Sequence, residues 1–376
     1  MKKIFLIAML CIAYTMNAQT LGYNDIGVLF SKEKINGTAR YNAMSGAFGA
    51  LGGDISAMEV NPAGAAIFMN SEFTATLGIQ KINTAASFYG NTMNSENDIT
   101  DITQTGGVFV FNTHRGNSNG SKVAFGFNYS IANDFENFWI AQGNSNYPTW
   151  IDDENDEDIL YLNSSGQYFE NLTNGKNNKY SFTLASEVNS NFYVGASINS
   201  FNIENFQKAL LEENNNDGSG NNLDASLIQE LLTYGDGISF SLGLISKPDD
   251  NIRLGLSYQS PVWYSLNEDY LDYDIEVYLS NTDQLIVDYS GYSTFAYKLK
   301  TADKFTGSFA YIFESQGLIS VDYSYKNYGN IKLSNGNFTN ENQSFENDLK
   351  GTGEIRLGTE WRFDNISVRG GYHIEK

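Results

Sequence analysis

The 376-residue sequence has one cysteine, four prolines and 23 lysine and arginine residues against 44 acidic residues. The cysteine, Cys11, lies in an N-terminal apolar run, so the chain beyond it cannot form the disulfide bonds that stabilise many exported domains. The formal net charge of −21 argues against a nucleic-acid partner, because phosphate binding needs a basic surface. No later segment approaches the roughly 18 consecutive apolar residues of a membrane-spanning helix, so none is predicted.

The N-terminus has the order of parts of a secretory signal peptide. Lys2 and Lys3 precede an apolar run at 4–13, and a polar junction with the small residue Ala18 follows. We expect cleavage after Ala18, so that residues 1–18 are removed. A lipoprotein site at Cys11 is disfavoured, because Cys11 lies inside the apolar run.

Aromatic residues are abundant, at 14 % of the chain, and many alternate with small or polar residues. A period of two places the two sets on opposite faces of a β-strand. Composition alone would also fit a soluble all-β exoprotein. The clearest apolar rows are Val123, Phe125, Phe127, Tyr129 and Ile131; Ile238, Phe240, Leu242 and Leu244; and Ile355, Leu357, Trp361 and Phe363.

The links between these strands alternate in length. Short links at 115–121, 189–190, 247–250, 314–317 and 364–365 alternate with long polar stretches at 92–103, 136–178, 205–235, 267–292 and 331–349. Outer-membrane barrels have short periplasmic turns and longer external loops, and strands in lipid must pair on both sides. The sequence therefore predicts an all-β fold, a transmembrane antiparallel β-barrel in the cell outer membrane.

Eleven strands are predicted, at 72–91, 104–114, 122–135, 179–188, 191–204, 236–246, 251–266, 293–313, 318–330, 350–363 and 366–376. Single-chain bacterial barrels normally have an even number of strands. We therefore expect a barrel, spanning residues 71–376, that is incomplete at its C-terminus and has an unpaired edge. Residues 19–70 lack long alternation and are rich in glycine and alanine, which favours a plug inside the barrel, with a periplasmic tail as the alternative.

The N-terminal segment contains Ala39-Arg40-Tyr41-Asn42-Ala43-Met44-Ser45-Gly46-Ala47-Phe48, then Gly53-Asp54-Ile55-Ser56-Ala57 and Asn61-Pro62-Ala63-Gly64. Across residues 36–70 it resembles the hatch of the FadL/TodX family of outer-membrane transporters. The resemblance implies a fourteen-stranded barrel, of which about eleven strands are present here, and uptake of long-chain fatty acids, aromatic hydrocarbons or other hydrophobic molecules. Some relatives are labelled haemin receptors and some sit in secretion machinery. It also places Asn61, Pro62, Ala63 and Gly64 in a rigid bend of the plug, with a structural or gating role.

Two stretches in the third long link have helical spacing. Phe206, Ala209 and Leu210 form one pattern. The second is an apolar stripe in which Asp224 is placed to cap the helix. This stripe predicts either a hydrophobic ligand groove at the outer rim or a lid helix that packs on neighbouring loops. Its members are Leu223, Leu227, Ile228, Leu231 and Leu232.

Five charged residues fall on the polar face of their strands: Arg253, Arg356, Glu360, Arg362 and Arg369. We expect them to point into the lumen and to pair there. In an alternative role, the arginines would bind the carboxylate of an amphiphile.

No cofactor and no metal site is predicted. Haem would need His114, His373 or a tyrosine as its axial ligand. Alternation places His373 inward beside Arg369, and His114 lies at a predicted periplasmic turn. The acidic run at 152–158 lacks the glycine and terminal glutamate spacing of a calcium loop, so it is interpreted as a solvated loop. The sequence has no nucleophile elbow, Cys/His cluster or phosphate loop, so the protein is not expected to be an enzyme.

The function that the resemblance implies is passive transport of hydrophobic molecules. The expected partners are hydrophobic small molecules, outer-membrane lipid and lipopolysaccharide. The alternative is a structural or secretion-associated barrel that binds protein partners through its external loops.

Overall fold

A computed structural model describes residues 22–113, 121–152, 159–289 and 291–376. The predicted signal peptide, His114 and most of the acidic run at 152–158 lie outside these residues. The helices are α1 (Tyr23–Ser31), α2 (Ala39–Ala43), α3 (Ala57–Val60) and α4 (Thr339–Asp348), with 3₁₀-helices at Pro62–Ile67 and Tyr328–Asn330. Within the described ranges, none of the helices has the length and apolar character needed to cross a membrane.

The rest of the described chain is mostly antiparallel β-sheet. Its strands are β1 (Glu72–Phe88), β2 (Asn91–Thr113), β3 (Ser121–Asp134), β4 (Asn137–Gly143), β5 (Asn163–Asn174), β6 (Lys176–Asn189), β7 (Phe192–Asn216), β8 (Asn222–Ser246), β9 (Ile252–Gln259), β10 (Trp263–Leu279), β11 (Gln284–Tyr289), β12 (Tyr292–Lys300), β13 (Lys304–Phe313), β14 (Gly317–Asn327), β15 (Lys332–Ser334), β16 (Gly351–Phe363) and β17 (Ile366–Glu375).

One continuous ladder runs through the sheet in the order β1-β2-β3-β6-β7-β8-β9-β13-β14-β16-β17. The remaining strands extend it at one end: β5 pairs with β4 and β7, and β10 pairs with β8, β11 and β12. The registers of the described strands pair β1 with β2 and β17 with β16, and give neither strand a second partner. The ladder therefore has two edges, one at β1 and the other at β17.

The two faces of the ladder have the reverse of a soluble protein's burial pattern. Large apolar side chains such as Phe182, Leu242 and Leu256 are exposed, whereas polar side chains such as Asn128 and Asp322 are fully buried. In a water-soluble fold the apolar face of a strand is the buried one. An apolar outer face and a polar inner face are typical of a sheet that is surrounded by lipid.

The N-terminal segment, residues 22–68, packs on the inner face of this sheet. Ile55 and the alanines of the first 3₁₀-helix cluster with Val108 of β2 and Ile245 of β8. Phe48 and neighbouring residues cluster with Ala310 of β13 and Leu318 of β14. Because one short segment contacts strands from β2 to β14, the sheet must curve around it.

Several stretches predicted as long loops are strand extensions. Strands β7 and β8 are each 25 residues long and pair from Phe192↔Ser246 to Asn216↔Asn222. The helices predicted at 205–232 are therefore wrong. Two glycines with positive φ, Gly218 and Gly220, form the connecting turn, and Asp217 Oδ1 accepts a hydrogen bond from Ser219 N.

Candidate functional site

The Asn61–Gly64 motif fixes the N-terminal segment to the sheet. Asn61 Oδ1 accepts a hydrogen bond from Ala63 N at 3.1 Å, which caps the 3₁₀-helix that begins at Pro62. Asn61 Nδ2 donates to Gly49 O at 2.7 Å and to Leu244 O of β8 at 3.0 Å. One side chain thus connects two parts of the segment to a strand.

Glycines on the facing strands allow this close approach. A Cβ atom at Gly243 would lie 2.0 Å from Asn61 Oδ1, and one at Gly195 would lie 2.4 Å from the Pro62 carbonyl carbon. Such distances are too short for any side chain. The bend at Pro62 and the glycines of β7 and β8 are therefore complementary in shape.

A buried group of charges connects the segment to the polar inner face. Lys179, of which only 2 % is exposed, lies 3.5 Å from Glu33 and 3.6 Å from Glu59. Glu59 Oε1 also accepts a hydrogen bond from Ser130 Oγ at 2.6 Å and one from Asn128. Burial by itself would raise the pKa of Glu33, but the charges of Lys179 and nearby lysines outweigh it and hold that pKa well below its usual range.

Three of the predicted lumen charges, Glu360, Arg362 and Arg369, form one group. Glu360 is fully buried and accepts hydrogen bonds from Arg40 at 2.7 Å, Arg362 at 2.9 Å and Arg369 at 2.8 Å. Arg253 donates to Leu51 O at 2.6 Å. The bonds from Arg40 and to Leu51 connect strands to the N-terminal segment.

Arg356 lies in a second group. It pairs with Glu354 at 2.6 Å, and its Nη1 donates to Tyr41 OH at 3.5 Å. His373 Nε2 lies 2.9 Å from the same glutamate. These partners neutralise the charges of Arg356, Arg362 and Arg369, whereas Arg253 has no carboxylate partner among the described residues and its Nε is buried without a hydrogen bond.

The five residues predicted as a ligand groove do not form one stripe. They lie on β8, between β7 and β10, instead of on a helix. Leu223 packs in a small apolar cluster with Tyr161 and Leu279, whereas Leu231 belongs to a larger cluster with α1. Leu227 has the same strand parity as these two, and Ile228 and Leu232 have the opposite parity, so they face the other side of β8.

Sequence reasoning missed an apolar cluster on the inner face of the sheet. Ile26 and Phe30 of α1 are buried. They pack among side chains of β7, β8, β10, β12 and the α4 region. The sheet residues of the cluster include Phe201, Ile203, Leu231, Tyr264, Leu266, Tyr297 and Leu299. A spacing of two places Phe201 with Ile203, Tyr264 with Leu266 and Tyr297 with Leu299 on one face of their strands, but only the fold brings these pairs together under α1.

A cavity of about 430 Å³ lies between the N-terminal segment and strands β1 to β3. Its lining includes Ile35 and Ala39 of the segment and Leu77, Ile99 and Ile131 of the strands. The β1–β2 ladder is irregular beside it, because Thr76 pairs with Gln104 and Leu77 with Ile102, which leaves Thr103 as an extra residue.

Asp101, Asp134 and Glu136 are the carboxylates in the described chain that lie close enough together to hold a metal ion. Lys176 Nζ lies 2.7 Å from Asp101 Oδ2 and 3.0 Å from Glu136 Oε1. This ammonium already supplies the positive charge that the carboxylates require.

Comparison with known proteins identifies the fold. No protein-family model and no curated protein sequence matches the chain. Similar solved structures include the CymD monoaromatic hydrocarbon channel, with 15 % identity, a TM-score of 0.50 and coverage of 92 % of this chain and 85 % of that chain. The Ralstonia pickettii toluene transporter TbuX also has a TM-score of 0.50 and 15 % identity, over 91 % of this chain and 87 % of that chain.

The Pseudomonas putida toluene transporter TodX is similar to the same degree, with a TM-score of 0.50 and 14 % identity over 92 % of this chain and 85 % of that chain. These three similarities extend over nearly the whole chain at low sequence identity. The resemblance noted in residues 36–70 is thus supported by an independent comparison of the whole fold. The chain has the fold of the FadL/TodX family of outer-membrane channels.

Proposed function

We propose that the protein is a β-barrel of the cell outer membrane through which hydrophobic small molecules cross passively. The apolar outer face supports the membrane location, because exposed side chains such as Leu242 and Leu256 would be costly in water. The paired strands support it as well, since backbone polar groups in lipid need partners within the protein.

The observation that carries the transport proposal is the apolar cluster on the inner face, around Ile26 and Phe30. A pore for ions or polar solutes has a polar lumen. Here the inner face carries an extended aromatic and aliphatic patch as well as polar residues. CymD is a monoaromatic hydrocarbon channel, and TbuX and TodX are toluene transporters. We take aromatic hydrocarbons and long-chain fatty acids as the candidate substrates.

The N-terminal segment acts as a plug in this proposal. It covers the apolar cluster and borders the cavity of about 430 Å³ beside β1 to β3. The Asn61–Gly64 motif serves to anchor the plug, since its contacts are with backbone groups of the segment and of β8.

Uptake of labelled toluene and oleate, compared in cells with and without the gene, tests the proposal. We expect the gene to raise the uptake rate of at least one of them and to leave glycerol uptake unchanged. Unchanged uptake of both would overturn it.

Two buried leucines of β10 provide a matched pair of variants. Leu266 belongs to the apolar cluster under α1, and Leu279 to the small cluster around Tyr161 and Leu223. Both leucines are at most 1 % exposed, so an asparagine at either site should destabilise the protein similarly. Only Leu266→Asn should lower uptake per folded molecule.

A further inference from the structure

One aromatic ring of the N-terminal segment lies in a cage of other rings at the edge of the apolar cluster. Tyr23, the first residue of α1, has its ring centroid 5.1 Å from that of Phe338, 5.4 Å from Tyr297 and 6.4 Å from Phe295. The interplanar angles are 79°, 81° and 62°, the edge-to-face arrangement that aromatic pairs favour. The cage therefore encloses a single six-membered ring.

A buried carboxylate lies where the hydroxyl group of this ring ends. Glu268 Oε2 accepts a hydrogen bond from Tyr23 OH at 2.8 Å. Its Oε1 accepts from Tyr297 OH at 2.7 Å and from Thr233 Oγ1 at 3.4 Å. Glu268 is only 4 % exposed, and its hydrogen-bond donors among the described residues are all hydroxyl groups.

The free-energy cost of burying a carboxylate is offset only by the hydrogen bonds that it accepts. Each hydroxyl donor around Glu268 therefore matters, because an acceptor that loses its donor keeps its full cost of desolvation. Phenol-type hydroxyl groups form short, charge-assisted bonds to such an oxygen. The ring cage and Glu268 together therefore fit one chemical class, an aromatic ring with a hydroxyl group.

We propose that this cage, formed by Phe295, Tyr297, Phe338 and Glu268, is a binding site for phenols, and that Tyr23 occupies it in the ligand-free protein. The proposal rests on the proposed function and names a substrate class for it, hydroxylated monoaromatic compounds. A ligand replaces the Tyr23 ring and donates its hydroxyl hydrogen to Glu268 Oε2.

The position of Tyr23 makes such an exchange feasible. Ile26 and Phe30 hold α1 in the apolar cluster with 1 % and 2 % exposure, whereas Tyr23 is half-buried at the beginning of the helix. Gly22 precedes it and makes no side-chain cap. Phe295, on the rim of the cage, is 40 % exposed. The first turn can therefore open without removing the rest of α1.

The affinities of toluene and 4-methylphenol, which differ by one hydroxyl group, test the chemistry. Toluene in the cage would leave Glu268 Oε2 without a donor, so 4-methylphenol should bind about tenfold to a hundredfold more tightly. Full-length protein in one fixed detergent is titrated with each compound by calorimetry. Tyr23→Ala empties the cage, and Tyr23→Phe, which keeps the ring, is its matched control.

We expect Tyr23→Ala to bind 4-methylphenol at least tenfold more tightly than the wild type or Tyr23→Phe does. Adding Glu268→Leu to Tyr23→Ala should remove the preference over toluene. The site is overturned if Tyr23→Ala binds 4-methylphenol no better than Tyr23→Phe, or binds toluene equally well. Thermal unfolding verifies that each variant is folded. If the double variant is unfolded, the comparison of Tyr23→Ala with Tyr23→Phe alone tests the site.

These titrations measure binding and do not depend on transport. The phenol-binding site and the transport channel can therefore be disproved independently of each other. Binding of 4-methylphenol without any gene-dependent uptake would overturn the channel and leave the site. Uptake of toluene or oleate with no binding of 4-methylphenol to Tyr23→Ala would overturn the site and leave the channel.

Discussion

Both the oxygen and the nitrogen of the Asn61 side-chain amide form hydrogen bonds, and the residue is buried. Replacement by alanine would remove the bonds to Ala63 N, Gly49 O and Leu244 O. We expect Asn61→Ala to lower the free energy of unfolding by about 2–4 kcal/mol, because each lost bond contributes about 1 kcal/mol and buried groups are left unpaired. Denaturant unfolding of the refolded protein measures this. Asn340→Ala, at an exposed position of α4, should change it by less than about 0.5 kcal/mol.

The lowered pKa of Glu33 predicts how the stability of the protein responds to acid. Since the lysines around it hold this pKa below its usual range in the folded protein, the ionised carboxylate stabilises the fold at neutral pH. That contribution is present above the pKa of an unfolded glutamate, about 4.3, and is lost as the pH falls below it.

Glu33→Gln tests this dependence. Between about pH 5 and pH 2, the wild-type melting temperature should fall more steeply than that of Glu33→Gln, and the two curves should converge at the acid end. Glu346→Gln, at an exposed position of α4, should follow the wild type throughout. Parallel curves for Glu33→Gln and the wild type would contradict the assignment.

Individual residues show which features of this site can be predicted from the sequence. A period of two places Arg253, Arg356 and Glu360 on the polar face, and the Asn-Pro pair predicts a rigid bend. Their partners are Leu51, Tyr41 and Arg40, in the N-terminal segment far away in the sequence. Such contacts leave no periodic signal, so only the folded chain reveals them.

Among the elements, the N-terminal segment is the part that must move if it is a plug. A Cβ atom at Gly49 would lie 3.0 Å from Ser308 Cβ of β13, and a shift of about half an ångström would bring the pair into disulfide range. Cys11 is the only native cysteine, so an engineered pair has no competitor after residue 11.

We expect the oxidised Gly49→Cys/Ser308→Cys protein to lose most of its uptake of hydrophobic solute and to regain it on reduction. Thr306→Cys/Ser324→Cys is the matched control, since these residues face each other across β13 and β14 with their hydroxyl oxygens 2.9 Å apart. This second disulfide lies within the sheet and should leave uptake unchanged. Equal uptake by the oxidised and reduced forms of the first pair would show that this part of the segment does not move.

The β7–β8 hairpin shows why it is harder to predict whether a stretch is helix or strand than to predict which of its side chains share a face. Leu223, Leu227 and Leu231 are spaced by four, which fits one face of a helix and also one face of a strand. The decisive signal is the turn at 217–221, with two glycines between polar residues. Pairing of β8 with both β7 and β10 then overrides the helical pattern.

For the whole molecule, the outward rows of apolar residues were predictable because membrane strands repeat one simple rule along their length. Alternation predicts Ile238, Phe240, Leu242 and Leu244 on one face, and all four are exposed. The strand extensions beyond the membrane were not predictable in this way. Their apolar residues, such as Leu223 and Leu227, lie among runs of polar residues and do not form a long alternating row, so these stretches resemble loops.

The proposed membrane location gives a prediction that depends on depth in the bilayer. Leu242, which is 50 % exposed, lies in the middle of the exposed apolar row of β8, whereas Leu285, which is 59 % exposed, lies on β11, in the strand extension. Leu242→Arg should destabilise the protein by about 2–4 kcal/mol in lipid vesicles, because a charge at the bilayer midplane loses its water, and Leu285→Arg should cost only about 0–1 kcal/mol. Reversible unfolding by denaturant in the same vesicles measures both. In a water-soluble sheet both arginines would be solvated, so equal and small effects would exclude a membrane belt at this row.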